Sequence, residues 1–105
     1  MTPEISVEEL KAKLDRKEVF TLLDVRETAE NAAARIAGST LIPLGELPAR
    51  CGELDKSRKL VVHCRSGARS ARAVEFLLGK GYDAVNVAGG IIAWSERIDP
   101  SVPLG

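Results

Sequence analysis

The sequence predicts an α/β protein in which a parallel sheet is flanked by helices on both faces. Short apolar runs of strand length alternate with segments of helical periodicity, an alternation typical of βαβ units. The runs are almost unbroken, as in strands that are buried on both faces. The chain of 105 residues suffices for one domain with a single core, so we assign residues 1–105 to one domain.

From the N-terminus, residues 6–14 are predicted to form the first helix. Ser6 and Glu9 have the spacing of a capping box, and the apolar residues after them recur at helical intervals. The run VFTLLDV at 19–25 has the length and composition of a buried strand. The next predicted elements are an alanine-rich helix, a short strand end and an irregular helix, at 27–36, 40–44 and 44–54.

The second half of the chain repeats the alternation. KLVVHC at 59–64 is predicted to be a strand, and SARAVEFLLGKGY at 70–82 a helix that its glycines end. AVNVAGG at 84–90 predicts a strand followed by a turn, and the last helix is expected at 91–98. The segment 99–105, DPSVPLG, contains two prolines and a glycine, so we expect an extended tail there.

Composition restricts the partners and the compartment. Fifteen basic residues balance fifteen acidic ones, so no overall field draws the chain to nucleic acid or to a membrane surface. No apolar run approaches the roughly 20 residues of a membrane span, and the N-terminus does not have the pattern of a signal peptide. Two cysteines and one histidine predict a reducing, cytoplasmic location with no disulfide scaffold, no metal site and no cofactor.

The stretch VVHCRSGARSAR at 61–72 predicts a reactive thiol. It places Cys64 where a parallel strand ends, and ligands of such sheets bind beyond the carboxyl ends of the strands. A tight turn at Gly67 and a helix from about Ser70 would bring the N–H groups of residues 65–69 toward the sulfur. Together with the positive end of the helix dipole, such a cradle lowers the pKa of a thiol from about 8.5 to roughly 3.5–7.5.

Positive charge around this loop favours a nucleophile over a buried structural cysteine, which is the competing interpretation. Arg65 and Arg69 can reinforce the thiolate and hold an incoming anion through forked hydrogen bonds. We therefore predict that Cys64 is the catalytic nucleophile. The residues predicted to bind the substrate are Arg65, Ser66, Gly67, Ala68 and Arg69.

The spacing of this loop indicates what the nucleophile attacks. HCRSGARS resembles the cysteine-phosphatase signature H-C-x5-R-S/T but is one residue short. A phosphate needs a wide ring of N–H donors, and a shorter ring fits a single terminal sulfur atom on Cys64 instead. A persulfide is an anion, so the donors that stabilise the thiolate also stabilise the sulfur-loaded form. A phosphatase or arsenate reductase stays the alternative enzyme class.

Four motifs in order resemble the rhodanese homology domain, and together they cover nearly the whole chain: LLDVRE, RIAGSTLIPL, VVHCRSGARS and VNVAGGIIAW. The resemblance implies the rhodanese fold, with a five-stranded parallel sheet and a six-residue active loop from Cys64 to Arg69. It also implies transfer of a sulfane sulfur from a small anionic donor such as thiosulfate, through Cys64, to an acceptor such as cyanide.

HCRSGARSARAV and AWSERIDPSVP are especially similar to the C-terminal domain of fused adenylyltransferase–sulfurtransferases. That similarity implies a ubiquitin-like sulfur-carrier protein, or a thioredoxin-type thiol, as acceptor. A non-catalytic or partner-dependent docking module is the alternative. Many relatives have G-H-I-P-G where this chain has residues 34–38, ARIAG, and the alanine in place of proline is expected to loosen that turn.

Residues outside the loop are assigned supporting roles. Asp24 and Arg26 are predicted to hold neighbouring loops through an ion pair, and lining the site is the alternative. Strand alternation points His63 away from Cys64, which argues against a role as general base. Ser70 can donate to the sulfur, as can Ser66, but we favour Ser70 as the N-cap of the helix.

The remaining candidates have structural interpretations. Gly89 and Gly90 are predicted to permit a tight turn close to the active loop, and Trp94 to fill the core. Arg72 is either a rim residue for an acidic partner or a solvated surface arginine. Cys51 matches no motif, so we expect an incidental thiol; the alternative is a resolving cysteine that pairs with Cys64.

Overall fold

The computed structural model describes residues 2–103, which form a sheet of five parallel strands in the order β1-β5-β4-β2-β3. The predicted α/β fold with a five-stranded parallel sheet is therefore confirmed. The strands are β1 (Glu4–Ile5), β2 (Thr21–Asp24), β3 (Thr40–Leu41), β4 (Leu60–His63) and β5 (Ala84–Val87).

In the part of the chain that the structure describes, five α-helices connect and cover these strands. They are α1 (Val7–Asp15), α2 (Thr28–Ala33), α3 (Leu47–Arg50), α4 (Ala68–Gly79) and α5 (Gly90–Arg97). Short 3-10 turns, Leu44–Glu46 and Cys51–Glu53, flank α3, which accounts for the irregular helix predicted there. The predicted capping box of α1 is present, because Ser6 Oγ accepts from the Glu9 N–H and Glu9 Oε1 accepts from the Ser6 N–H.

The two faces of the sheet carry separate cores, because side chains alternate along each strand. What we call the α4-side core contains Leu23, Val62, Cys64, Val74 and Leu77 among its buried residues. The α5-side core contains Leu22, Val61, Val87, Ile91 and Trp94. Helices therefore cover both faces of the sheet. Cys64 and Val62 belong to the α4-side core, whereas Val61 belongs to the α5-side core.

Several boundaries differ from the sequence prediction. The edge strand β1 was not predicted, since two residues that pair with Asn86 and Val87 are too few for any periodicity to show. Strand β2 begins at Thr21 rather than at residue 19, and Val19 is 74% exposed. Helix α4 begins at Ala68, because Gly67 before it adopts a φ of +115°.

The segment that we expected to be an extended tail forms a turn over residues 99–103 that packs on the domain. Val102 is buried in the α5-side core, and its carbonyl accepts a hydrogen bond from Ser95 Oγ at 2.7 Å. Leu104 and Gly105 lie outside the described residues. Within residues 2–103 no helix is long and apolar enough to cross a membrane.

Candidate active site

Cys64 follows β4 directly and its sulfur lies inside the loop that leads into α4. The residue is 1% exposed. The Gly67 N–H donates to Cys64 Sγ at 3.1 Å, and the Ser70 hydroxyl donates at 3.2 Å. Burial raises the pKa of the Cys64 thiol, but the hydrogen bonds from the Ser70 hydroxyl and from backbone N–H groups of Ser70, Gly67 and Ser66 outweigh it, so the pKa lies below its ordinary value.

The start of α5 fixes the orientation of the loop backbone. The Ile91 N–H donates to Cys64 O at 3.0 Å, and the Ile92 N–H donates to Arg65 O at 3.1 Å. Because peptide units are planar, carbonyls that point at α5 direct the following N–H groups to the other side of the loop, where the sulfur lies. This approach requires glycine at Gly90: φ is +58°, and a Cβ there would lie 2.4 Å from Arg65 O.

Asn86 on β5 supports the loop from below and was missed by the sequence reasoning. Its Oδ1 accepts a hydrogen bond from Ser70 Oγ, and its Nδ2 donates to Gly67 O at 3.3 Å and to Glu4 Oε2 at 3.1 Å. A buried asparagine inside the otherwise apolar run AVNV was the available signal, since a buried polar side chain needs partners.

Ser70 has a different place from the one we favoured. Because α4 starts at Ala68, Ser70 lies in the first turn of the helix rather than at its N-cap. Its single hydroxyl proton has three acceptors within reach, which are Cys64 Sγ, Gly67 O and Asn86 Oδ1. The N-cap role that we favoured is therefore wrong. Contact with the sulfur, the alternative that the sequence left open, is present at 3.2 Å, and Asn86 Oδ1 is the nearer acceptor at 2.5 Å.

Asp24 and Arg26 form the ion pair that the sequence predicted, at the carboxyl end of β2. Arg26 Nε and Nη2 donate to the two carboxylate oxygens of Asp24 at 3.0 and 2.8 Å, and both residues are buried. Arg26 Nη2 also donates to Ala34 O at 2.7 Å, which holds the segment after α2. Burial raises the pKa of Asp24, but the hydrogen bonds from Arg26 and Asn31 and the nearby His63 together outweigh it, so the pKa lies below its ordinary value.

His63 is buried on the opposite side of β4 from Cys64, as predicted. Its neighbours Val62 and Cys64 belong to the α4-side core, whereas Val61 belongs to the α5-side core. The ring is fully buried, and burial lowers the pKa of His63 below its ordinary value. A side chain on the far face of the strand is not within reach of the sulfur as a general base.

Arg69, which we expected to hold an incoming anion, is paired with a carboxylate of α2. Its Nη1 and Nη2 donate to Glu30 Oε1 and Oε2 at 2.7 and 2.9 Å. This hydrogen bond lowers the pKa of Glu30 to about 2. The sequence carries no local signal for the contact, because the two residues are 39 positions apart.

The exposed part of the loop opens beside a shallow cavity. Arg65, Ser66 and Ala68 are exposed, and Arg72 is exposed further along α4. The cavity has a volume of about 240 Å³, and Cys64 does not line it. Its lining residues are Arg26, Glu30, Ala33, Ala34, Arg65, Ile91 and Pro103.

Cys51 lies at the other end of the sheet. Its carbonyl accepts a hydrogen bond from the hydroxyl of Tyr82, a residue that precedes β5, whereas Cys64 lies at the carboxyl edge. Both thiols are free. The placement disfavours a disulfide between Cys51 and Cys64, since the Cα atoms of a disulfide lie about 4.4–6.8 Å apart.

The fold and the loop define a class, namely α/β domains that present a cysteine in a backbone N–H cradle at the carboxyl edge of a parallel sheet. Residues 6–97 match the rhodanese-like domain. The chain belongs to this family.

The relatives include short and long proteins. A sulfurtransferase of Allochromatium vinosum is 41% identical over 103 residues, covering 97% of this chain and 96% of the relative. The probable adenylyltransferase/sulfurtransferase MoeZ of Mycobacterium tuberculosis is 35% identical and matches 93% of this chain, which spans 26% of MoeZ. The crystal structure of a rhodanese-like domain protein from Staphylococcus aureus superposes with a TM-score of 0.86 at 35% identity, over 99% of both chains.

Proposed function

We propose that this protein is a sulfurtransferase in which Cys64 carries sulfur as a persulfide. The observation that carries the proposal is the cradle around Sγ, with the Gly67 N–H at 3.1 Å and the Ser70 hydroxyl at 3.2 Å. Such donors stabilise a negative charge on sulfur before and after loading. Relatives along the whole chain are named sulfurtransferases, in Allochromatium vinosum and, as a putative one, in Bacillus subtilis.

In the first step, the Cys64 thiolate attacks the outer sulfur of a donor such as thiosulfate. A bond forms between Sγ and that sulfur, the S–S bond of thiosulfate breaks, and sulfite leaves with the electron pair. We expect Arg65 and Ser66 to meet the donor, because both are exposed at the mouth of the loop. Asp24 and Arg26 hold the adjoining loop rather than touch the sulfur.

In the second step, a nucleophilic acceptor attacks the outer sulfur of the persulfide. With cyanide, a carbon–sulfur bond forms, the S–S bond breaks, and thiocyanate leaves while Cys64 returns as thiolate. The acceptor we propose in the cell is a cytoplasmic thiol or a sulfur-carrier protein. In support, a relative in Bacillus subtilis that is 39% identical is named a putative sulfur carrier protein, and this chain spans 53% of it.

One observation favours a second version, in which transfer takes place only inside a complex. Cys64 is 1% exposed, so a free acceptor has little access to its sulfur, whereas a partner protein that opens the loop would reach it. Weak turnover of free thiosulfate with rapid transfer to a carrier protein would favour this version over the first.

Intact-protein mass spectrometry after incubation with thiosulfate tests the proposal. Wild type and Cys51→Ser should each gain the mass of one sulfur atom, cyanide should remove it as thiocyanate, and Cys64→Ser should gain none. Cys51→Ser is the matched control for Cys64→Ser, because each variant removes one of the two cysteines of the chain. Equal gain by Cys64→Ser and wild type would refute the assignment, and hydrolysis of a phosphate ester by wild type would favour the phosphatase class instead.

A further inference from the structure

The mouth of the Cys64 loop contains an ion pair between two elements that are distant in sequence. Glu30 in α2 and Arg69 in α4 meet through both carboxylate oxygens and both terminal guanidinium nitrogens. Their side chains are 30% and 33% exposed, so the pair is neither fully solvated nor fully buried. Glu30 also lines the cavity beside the loop, together with Arg65 and Arg26.

This ion pair reduces the number of guanidinium groups near the loop that are free to bind an anion. The end-on fork of Arg69, which a carboxylate, sulfate or thiosulfate would use, is already taken by Glu30. The guanidinium of Arg26 is likewise paired, with the buried carboxylate of Asp24. Arg26, Arg65 and Arg69 are positive, whereas Asp24, Glu30 and Glu27, whose charge also acts on Arg69, are negative, so three charges of each sign cancel without the sulfur being counted.

We infer that Glu30 is a specificity-determining residue, which disfavours free dianionic sulfur donors relative to donors that carry at most one negative charge in total. The inference rests on the proposed function and deepens it, because it names the singly charged persulfide of a small thiol as the preferred class of donor over thiosulfate. The Cys64 thiolate attacks the outer sulfur of that persulfide, a bond forms between Sγ and this sulfur, the donor's S–S bond breaks, and the small thiol leaves with the electron pair. The physical reason is repulsion between the donor and the Glu30 carboxylate. A dianion must either displace this carboxylate from Arg69 or approach close to it, whereas a singly charged donor experiences about half of the repulsion.

Glu30→Gln isolates the charge, because it keeps the second contact of this residue. Glu30 Oε1 accepts the N–H of Glu27 at 2.9 Å, which caps the start of α2, and a glutamine amide oxygen accepts equally well there. Glu27→Gln is the matched control, because it removes the same charge three residues earlier on an exposed side chain. Glu27 acts on Arg69 through space, more weakly than Glu30 does, and within residues 2–103 it makes no hydrogen bond with Arg69.

The first test uses alkylation and needs no sulfur transfer. In a Cys51→Ala background, Cys64 is alkylated with iodoacetate, an anion, and with iodoacetamide, which is neutral and of similar size. We expect Glu30→Gln to raise the iodoacetate-to-iodoacetamide rate ratio about three- to tenfold at low salt, and Glu27→Gln to raise it much less. An equal ratio in wild type and Glu30→Gln, or equal shifts in both variants, would overturn the inference.

The second test separates the inference from the proposed function. With thiosulfate, Glu30→Gln should raise kcat/KM about three- to tenfold, mainly through a lower KM, while the value for a singly charged persulfide of a small thiol changes less. If both donors load Cys64 and their kcat/KM ratio is the same in both proteins, the inference fails and the proposed function stands. If the alkylation ratio shifts but neither donor loads Cys64, the proposed function fails and the electrostatic role of Glu30 stands.

Discussion

The two cysteines of this chain pack against the same core, yet only Cys64 has hydrogen-bond donors arranged around its sulfur within residues 2–103. Cys64 Sγ accepts hydrogen bonds from the Gly67 N–H and the Ser70 hydroxyl, although the residue is 1% exposed. Cys51 is more exposed, and its thiol faces the Pro48 carbonyl at 3.9 Å. The comparison teaches that donors arranged around a sulfur, rather than its exposure, build an anion site.

The same contrast extends to the charges near each cysteine. Close to Cys64, the Asp24–Arg26 pair is buried, with side chains 0% and 4% exposed. Close to Cys51, Arg50 pairs with Glu46 and Glu53 on the surface. A buried charge that loses its partner is strongly destabilising, whereas exposed ion pairs contribute little.

The largest expected effect is therefore on Arg26. Arg26→Ala strands the Asp24 carboxylate in the interior, and we expect a loss of about 3–5 kcal/mol in the free energy of unfolding. Arg50→Ala, at the other end of the sheet, should leave the denaturation midpoint almost unchanged. Urea denaturation of both variants measures the contrast, and equal losses would contradict the account of the two pairs.

Two glycines give the next contrast. Gly90→Ala places a Cβ 2.4 Å from Arg65 O at a φ of +58°, so we expect a loss of about 2–4 kcal/mol and a displaced loop. Among residues 2–103, and leaving aside its own chain neighbours, no atom lies within 4 Å of a Cβ built on Gly52, so Gly52→Ala should change the free energy of unfolding by at most about 0.5 kcal/mol. Thermal denaturation of the two variants gives the comparison directly.

A smaller effect is expected at Ser70. Ser70→Ala removes a hydroxyl that donates to the sulfur, so the pKa of Cys64 should rise and its alkylation rate at pH 7 should fall about tenfold, as expected for a hydrogen bond to a charged group. The rate at Cys51, read from the same digest, is the internal control and should not move. A rise in the rate at Cys51 would indicate general unfolding instead, because unfolding exposes that partly buried thiol.

The smallest effect is the acid dependence of the Glu30–Arg69 pair. The pKa of Glu30 is about 2 in the folded protein, whereas that of an unperturbed glutamate is 4.5. The ionised carboxylate therefore stabilises the fold fully above pH 4.5, and this contribution is lost as the pH falls through about 2. We expect Glu30→Gln to be about 0.5–1 kcal/mol less stable than wild type at pH 7, and this difference to shrink as the pH falls from 4.5 and to vanish only below pH 2. A difference that is constant with pH would contradict the pairing.

The sequence predicted the parts of this molecule that local chain chemistry determines. The Cys64 loop was predicted because strand, glycine turn and helix follow one another within twelve residues, 61–72. The Asp24–Arg26 pair was predicted for the same reason, since its members are two positions apart. The start of α4 was predicted two residues late, because the left-handed φ of Gly67 is not visible in the sequence.

Contacts between distant elements were not predictable in this way. Glu30 meets Arg69 across 39 positions, and Asn86 meets Ser70 across 16, and no periodicity connects either pair. The strand β1 is stabilised by its pairing with β5 rather than by its own two residues. These interactions depend on the order of the strands in the sheet, which was not predicted, because the resemblance to the family implied only that the sheet has five parallel strands.

The pH dependence of Cys64 alkylation by iodoacetamide tests the central claim most directly, because a neutral reagent reports the thiolate fraction alone. It is measured by peptide mapping of the wild-type protein. The account predicts a midpoint below about 8.5, the ordinary value of a cysteine thiol, because donors in the loop stabilise the anion. A midpoint at or above that value would show that burial prevails over the donors, and it would contradict the account of Cys64 as a preformed anion site.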